Sequence, residues 1–149
     1  MLYLCDVNLL LALVFEEHVA HRVTVEWSDA RENDSLILCR PTQVSLLRLL
    51  SNRAIMGEKA CAQKQAWEVY DALIADPRFV FRGDEQTLES HFRKLTQQSI
   101  VAPKLWHDAY LAAYCLAHGW TMATLDSGFR EFPGLAVELL VVHADAAED

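Results

Sequence analysis

Apolar residues in this chain fall into short continuous runs and longer helical repeats. Residues 2–5 and 36–39 are unbroken apolar runs of strand length. Helical patterns separate them, which predicts strands of a parallel sheet buried on both faces. Segments 79–81, 120–125 and 137–142 predict three more strands, with 79–81 short and near an edge. Helices are predicted over 9–15 and over 18–31, the second with a stripe of Val19, Val23 and Trp27. A helix opening at Pro41-Thr42 is expected to bury Val44, Leu46, Leu47, Leu49 and Leu50. Another at 59–74 presents Ala62, Ala66, Val69 and Leu73, and Asp76-Pro77 ends it. A more polar helix follows at 86–98, with Leu88, Phe92 and Leu95. The strongest helical signal is 105–118, entered after Pro103 and closed by Gly119 in the position of a left-handed cap. The predicted fold is α/β, a three-layer α/β/α sandwich with a central, mainly parallel sheet.

Composition narrows the class. The 149 residues suit one domain over 1–143, and the acidic stretch 144–149 is expected to fray. At 52% hydrophobic and 23% charged, the profile is that of a soluble globular protein. No stretch reaches the roughly 20 apolar residues of a membrane span, and no basic leader precedes 9–15. A cytoplasmic protein without membrane association is expected. Cys5, Cys39, Cys61 and Cys115 lack Cys-x-x-Cys spacing and read as structural thiols. The net charge of −8 argues against a broad nucleic-acid-coating surface. Within it, Arg40, Arg48, Arg53, Lys59 and Lys64 against Glu58 make residues 40–64 net +4. Residues 16–34 are net −4.

Candidate chemistry lies in three carboxylates. Asp6 follows the first strand, Asp126 follows the fourth, and Asp108 sits in the first turns of the helix after Pro103. In a doubly wound sheet, strand carboxyl ends and helix amino ends share one rim. Converging carboxylates resist joint ionisation, so they share a proton or bind a cation. Oxygen-only donors favour Mg²⁺ or Mn²⁺. Each acid also has a plain alternative. Asp6 serves as a helix cap, Asp108 complements a helix dipole, and Asp126 forms a turn with Ser127-Gly128.

Four segments carry a family resemblance. Residues 6–13, from Asp6-Val7-Asn8 through Leu13, resemble the opening of PIN-domain ribonucleases, and more narrowly VapC-type toxins of bacterial toxin–antitoxin pairs. Residues 39–43 with 47–50 resemble the second motif, 106–113 the third, and 123–129 with 132–135 the fourth. The resemblance implies a metal-dependent endoribonuclease that cuts RNA, often tRNA or rRNA, and is silenced by a cognate antitoxin. It matches Asp6, Asp108 and Asp126 to the metal-binding, catalytic acids, with Mg²⁺ or Mn²⁺ as cofactor. It matches Asn8 and Thr124 to neighbours that orient them. The family's usual second Glu falls on Gln43, which has a carbonyl oxygen but no charge. The acid that some members carry two places after Asp126 is Gly128. A homodimer is common in the family, and the helices after Pro41 and Lys59 are candidates for that interface or for an antitoxin helix.

Other residues are weighed beside these. Arg40, Arg48 and His107 are candidate RNA contacts, with a solvated helix face as the plain reading for the arginines. His18 and His21 have half a metal-site spacing and no partner. The four tryptophans read as core. A phosphoacceptor receiver domain would need an acid beside Asp6 and a Lys after residue 104, and neither is present. A non-catalytic PIN-like module that binds RNA or protein is the alternative that Gln43 favours.

Overall fold

The continuous apolar runs all become strands. In the computed structural model, which describes residues 1–143, these are β1 (Tyr3–Cys5), β2 (Leu36–Leu38), β3 (Phe79–Phe81), β4 (Thr121–Thr124) and β5 (Val137–Leu139). They pair in the order β3-β2-β1-β4-β5, and every pairing is parallel. The expected acidic tail at 144–149 lies outside the described residues. The helices are α1 (Val7–Val14), α2 (His21–Asp29), α3 (Arg40–Leu50), α4 (Arg53–Met56), α5 (Gln63–Ala75), α6 (Leu88–Thr96) and α7 (Leu105–His118).

Pleat alternation divides the core in two. Tyr3, Cys5, Leu36 and Leu38 point to one face, where Leu9, Leu10, Leu46, Leu50 and Leu73 pack on them. Leu4, Ile37 and Met122 point to the other, against Leu111, Tyr114, Cys115 and Phe129. Helices α1, α3 and α5 therefore cover one face, and α6 and α7 the other. Each fully buried Leu contributes roughly 1.5–3 kcal/mol, so central strands of three residues suffice because both faces are covered. The cysteines are free thiols. Cys5, Cys39 and Cys115 are buried, which pushes each thiol's pKa up by desolvation.

Several packing expectations need correction. The buried side of α2 is Thr24 and Ser28, continued by Ala20, while Val19 is 80% exposed. Small side chains at four-residue spacing let α2 approach α1. Trp27 does pack inward, edge-on to Tyr3 with ring centroids 5.2 Å apart. On α3 the buried residues are Thr42, Gln43, Leu46 and Leu50, and Val44 faces out. The helix expected at 59–74 begins at Gln63. Gly57, at φ +60°, ends α4, and the Cys61 N–H donates to the Leu50 carbonyl, pinning an extended link. The last strand stops at Leu139, and Val141 and Val142 are exposed. Trp67 and Trp106 are not core residues, being 46% and 57% exposed.

Helix α7 is as expected. Gly119 takes φ +70° in the left-handed region, and Trp120 N–H closes the end on the Cys115 carbonyl. Small residues Ala109, Ala112 and Ala113 are buried and bring α7 close to the sheet.

Candidate active site

The sheet order places a switch point between β1 and β4. The chain winds outward from β1 to β2 and β3, then returns to β4 on the other side. Ligands in open α/β sheets bind outside the strand carboxyl ends at such a point. Cys5 pairs with Ala123, so the residues that follow, Asp6 and Thr124, stand side by side. The Asp6 N–H donates to the Ala123 carbonyl at 2.9 Å and extends the ladder by one bond.

Asp6 is 4% exposed. Its Oδ1 accepts from the Val7 N–H at 2.8 Å, and its Oδ2 accepts from the Thr124 hydroxyl at 2.8 Å. It thus caps α1 while facing the switch point. The Thr124 Oγ1 also accepts from the Asp126 N–H at 2.9 Å. One buried hydroxyl therefore links the backbone of one acid to the carboxylate of the other. Asp126 is exposed and caps the 3₁₀ turn Ser127–Glu131, its Oδ1 accepting from Gly128 N–H at 2.8 Å. A Cβ on Gly128 would lie 3.1 Å from that oxygen, so a side chain there would crowd the carboxylate.

Asp108 projects from the first turn of α7, half-buried. Desolvation raises the Asp6 pKa most, and the Asp108 charge adds to it; the Thr124 and Val7 hydrogen bonds and His107 oppose it. Desolvation also raises Asp108 most, and Asp126 adds to it while His107 opposes. The three acids are therefore near enough to repel in series, Asp6 to Asp108 to Asp126. His107 lies beside both Asp6 and Asp108, although adjacent positions on α7 diverge.

Other expected residues are placed differently. Asn8 is exposed on α1, and no hydrogen bond of its side chain to Asp6 is formed among the described residues; Val7 N–H and Thr124 orient Asp6 instead. Gln43 is buried, and its Oε1 accepts from Arg40 Nη1. Tyr70 on α5 is raised in pKa by desolvation first, with Gln43 opposing. The Arg40 guanidinium lies over the Phe81 ring, 4.6 Å from its centroid. The Gln43 carbonyl is thus taken up by Arg40, which lies against β3. Arg48 lies eight residues along α3 from Arg40, about 12 Å down the axis. It lines a groove with Val44, Leu47 and Trp67, separate from Asp6.

One acid escaped the sequence reading. Asp84 stands three residues past the end of β3, behind Arg82 and Gly83, so it lacks the immediate strand-end position that marks Asp6. It lies near Tyr110, whose pKa is raised by desolvation first and by Asp84 next.

Three oxygen donors of mutually repelling charge fit a hard divalent cation in donor chemistry. No three His, Cys, Asp or Glu side chains among the described residues close into a ready metal cage.

The raised Asp6 pKa has a stability consequence. Its folded value lies above the unfolded one, so the folded state binds the proton more tightly. Stability of the metal-free protein therefore falls as pH rises between those two values and levels off above the folded one. Asp6→Asn keeps the cap and removes the buried charge. Denaturant titrations in EDTA are expected to find it more stable than the wild type at pH 7. The difference should close as pH falls below about 3.9.

Comparisons with known proteins show the family and the fold. A family model for the PIN domain matches residues 3–135. Ribonuclease VapC41 of Mycobacterium tuberculosis is 40% identical over 142 residues, spanning 92% of this chain and 97% of that protein. Ribonuclease VapC29 of the same organism is 33% identical over 134 residues, spanning 90% and 92%. Among solved structures, VapBC2 from Rickettsia felis bound to a promoter DNA fragment aligns with a TM-score of 0.69 at 14% identity, covering 95% of this chain and all of that one. Mycobacterium tuberculosis VapC20, described as a sarcin-ricin loop cleaving toxin, aligns at 0.64 and 14%, covering 86% and 92%. At such identities the structural matches bear on the fold alone.

Proposed function

We propose that this chain, which belongs to the PIN-domain family, is a divalent-metal-dependent endoribonuclease toxin of the VapC kind. The observation that carries the reading is the Thr124 hydroxyl bridging Asp6 and Asp126 at the switch point, with Asp108 close enough to repel both neighbours' charge. The 40% identity to a protein named as a ribonuclease supports the same conclusion. Asp6, Asp108 and Asp126 are the residues that would hold the ion. Such an ion supplies polarisation of a phosphodiester and a lowered pKa for water. The chain's own part is to hold these carboxylates in position. Thr124 fixes the Asp6 rotamer, Gly128 leaves room for Asp126, and α7 carries Asp108 in on a rigid element. His107 offers a titratable nitrogen beside the same acids. With Gln43 uncharged and bonded to Arg40, one firmly held ion is the expected stoichiometry.

RNA is the proposed substrate, a cognate antitoxin the proposed regulator, and the cytoplasm the place of action. No helix among the described residues is long and apolar enough to cross a membrane. The groove between α3 and α5, lined by Val44, Leu47, Ala66 and Trp67, suits an apolar helix, from an antitoxin or from a second copy in a homodimer.

The test is cleavage of total tRNA and rRNA by purified, antitoxin-free protein. Activity is expected with Mg²⁺ or Mn²⁺ and none in EDTA, and the same ions should raise the melting temperature. Cleavage that survives chelation would overturn the metal-dependent reading. RNA binding without cleavage in either ion would favour the non-catalytic module.

A further inference from the structure

Beside the carboxylates, on the α6–α7 side, lies a cleft of about 820 Å³. Asp108 and Gly128, the partner of Asp126, are among its lining residues, so it opens from the site itself. It combines apolar Leu95 and Phe132 with the polar Lys94 and Gln98. A second notch of about 290 Å³ shares Ile100, Ala102 and Leu105 with the cleft and is edged by Trp106. The two adjoin at those shared residues, as a track of two depressions that starts at Asp108.

Three features of this track fit a single nucleic-acid strand. Trp106 is held from one side by Phe92, with ring centroids 6.0 Å apart, yet leaves 57% of its surface exposed. A large aromatic fixed in place and open to solvent is a platform for a base. Lys94 and His91 line the cleft, in a chain of net charge −8. Glu131 is the acid among the cleft residues besides Asp108. Gln98 donates its amide N–H to the Leu95 carbonyl at 3.0 Å, which leaves its Oε1 as the acceptor.

We propose that the α6–α7 cleft and the notch adjoining it form a nucleotide subsite, in which an RNA strand passing the carboxylates sets a phosphate against Lys94 in the cleft and stacks a base on Trp106 at the notch. Gln98 accepts from a base edge in the same subsite. The proposal rests on the ribonuclease reading for its substrate and adds the residues that select what lies beside the cut.

The probe is a fluorescein-labelled single-stranded RNA of about 10 nucleotides, within the span of one such binding surface. Its affinity is read by anisotropy in EDTA. Trp106→Ala is expected to weaken binding about tenfold, and Trp106→Phe to restore most of it. Lys94→Ala should flatten the salt dependence by about 0.7 in the log–log slope. Circular dichroism checks that each variant folds, which the exposure of both side chains favours. Affinity unchanged by both substitutions overturns the subsite, even where the wild type cleaves RNA and the ribonuclease reading stands. Trp106-dependent binding by protein that cleaves nothing supports the subsite while the ribonuclease reading falls. Wild-type protein that binds no RNA overturns the proposal. So does a Trp106→Ala protein that keeps RNA and loses a co-expressed protein partner.

Discussion

Asp108→Asn protein is expected to fold like the wild type and to cleave RNA on the order of 10²–10³-fold more slowly. The substitution conserves shape and removes one negative charge. That charge is held at a cost, because desolvation and the neighbouring Asp126 both raise its pKa. Removing it should therefore leave metal-free stability unchanged or raised. The competing role, an acid that complements the α7 dipole, predicts the opposite pair of results. A dipole partner contributes roughly 0.3–1 kcal/mol, so its loss would lower stability and leave turnover alone. Denaturant unfolding in EDTA and cleavage kinetics in Mn²⁺ on one preparation separate the two. Unimpaired cleavage by folded Asp108→Asn would remove Asp108 from the site.

Phe129→Ala should be the most damaging single change to the fold near the site, destabilising by about 3–5 kcal/mol. Phe129 is 1% exposed and packs in the second core with Leu111, Tyr114 and Met122. It also sits in the 3₁₀ turn that Asp126 caps. Its side chain is the anchor by which a short, exposed turn is fixed to the sheet. Loss of that anchor should free the Asp126 carboxylate and lower activity at temperatures where the protein is still folded. Urea unfolding measures the first effect and cleavage rates at 15 °C, well below the transition, the second. A loss under 1 kcal/mol would mean that other contacts fix the turn.

Much of the fold was legible because it is local. The apolar runs at 3–5 and 36–38, the period of α7 and the Gly119 cap depend on neighbours within a few residues. Asp6, Asp108 and Asp126 could be picked out by their places at strand and helix ends. The packing errors have one cause. Val19, Val44 and Trp106 were read as buried from hydrophobicity alone, yet which stripe of a helix is buried depends on what packs against it. On α2 the small residues Ala20, Thr24 and Ser28 won, because close approach to α1 covers more surface than an extra Val would. Gln43 could be seen as a missing charge, but its bond to Arg40 could not.

By itself the sequence determined the kinds of element, their order, and the three acids at their ends. These follow from side-chain period, breakers and caps, which act over one or two turns. Only the tertiary structure decided that β4 lies beside β1, so that Thr124 reaches Asp6 across 118 residues. It alone brought Asp6, Asp108 and Asp126 near enough to repel, turned Gln43 to Arg40, and left Trp106 uncovered. Those outcomes depend on burying both faces of one sheet at once, a constraint that no local stretch of chain carries.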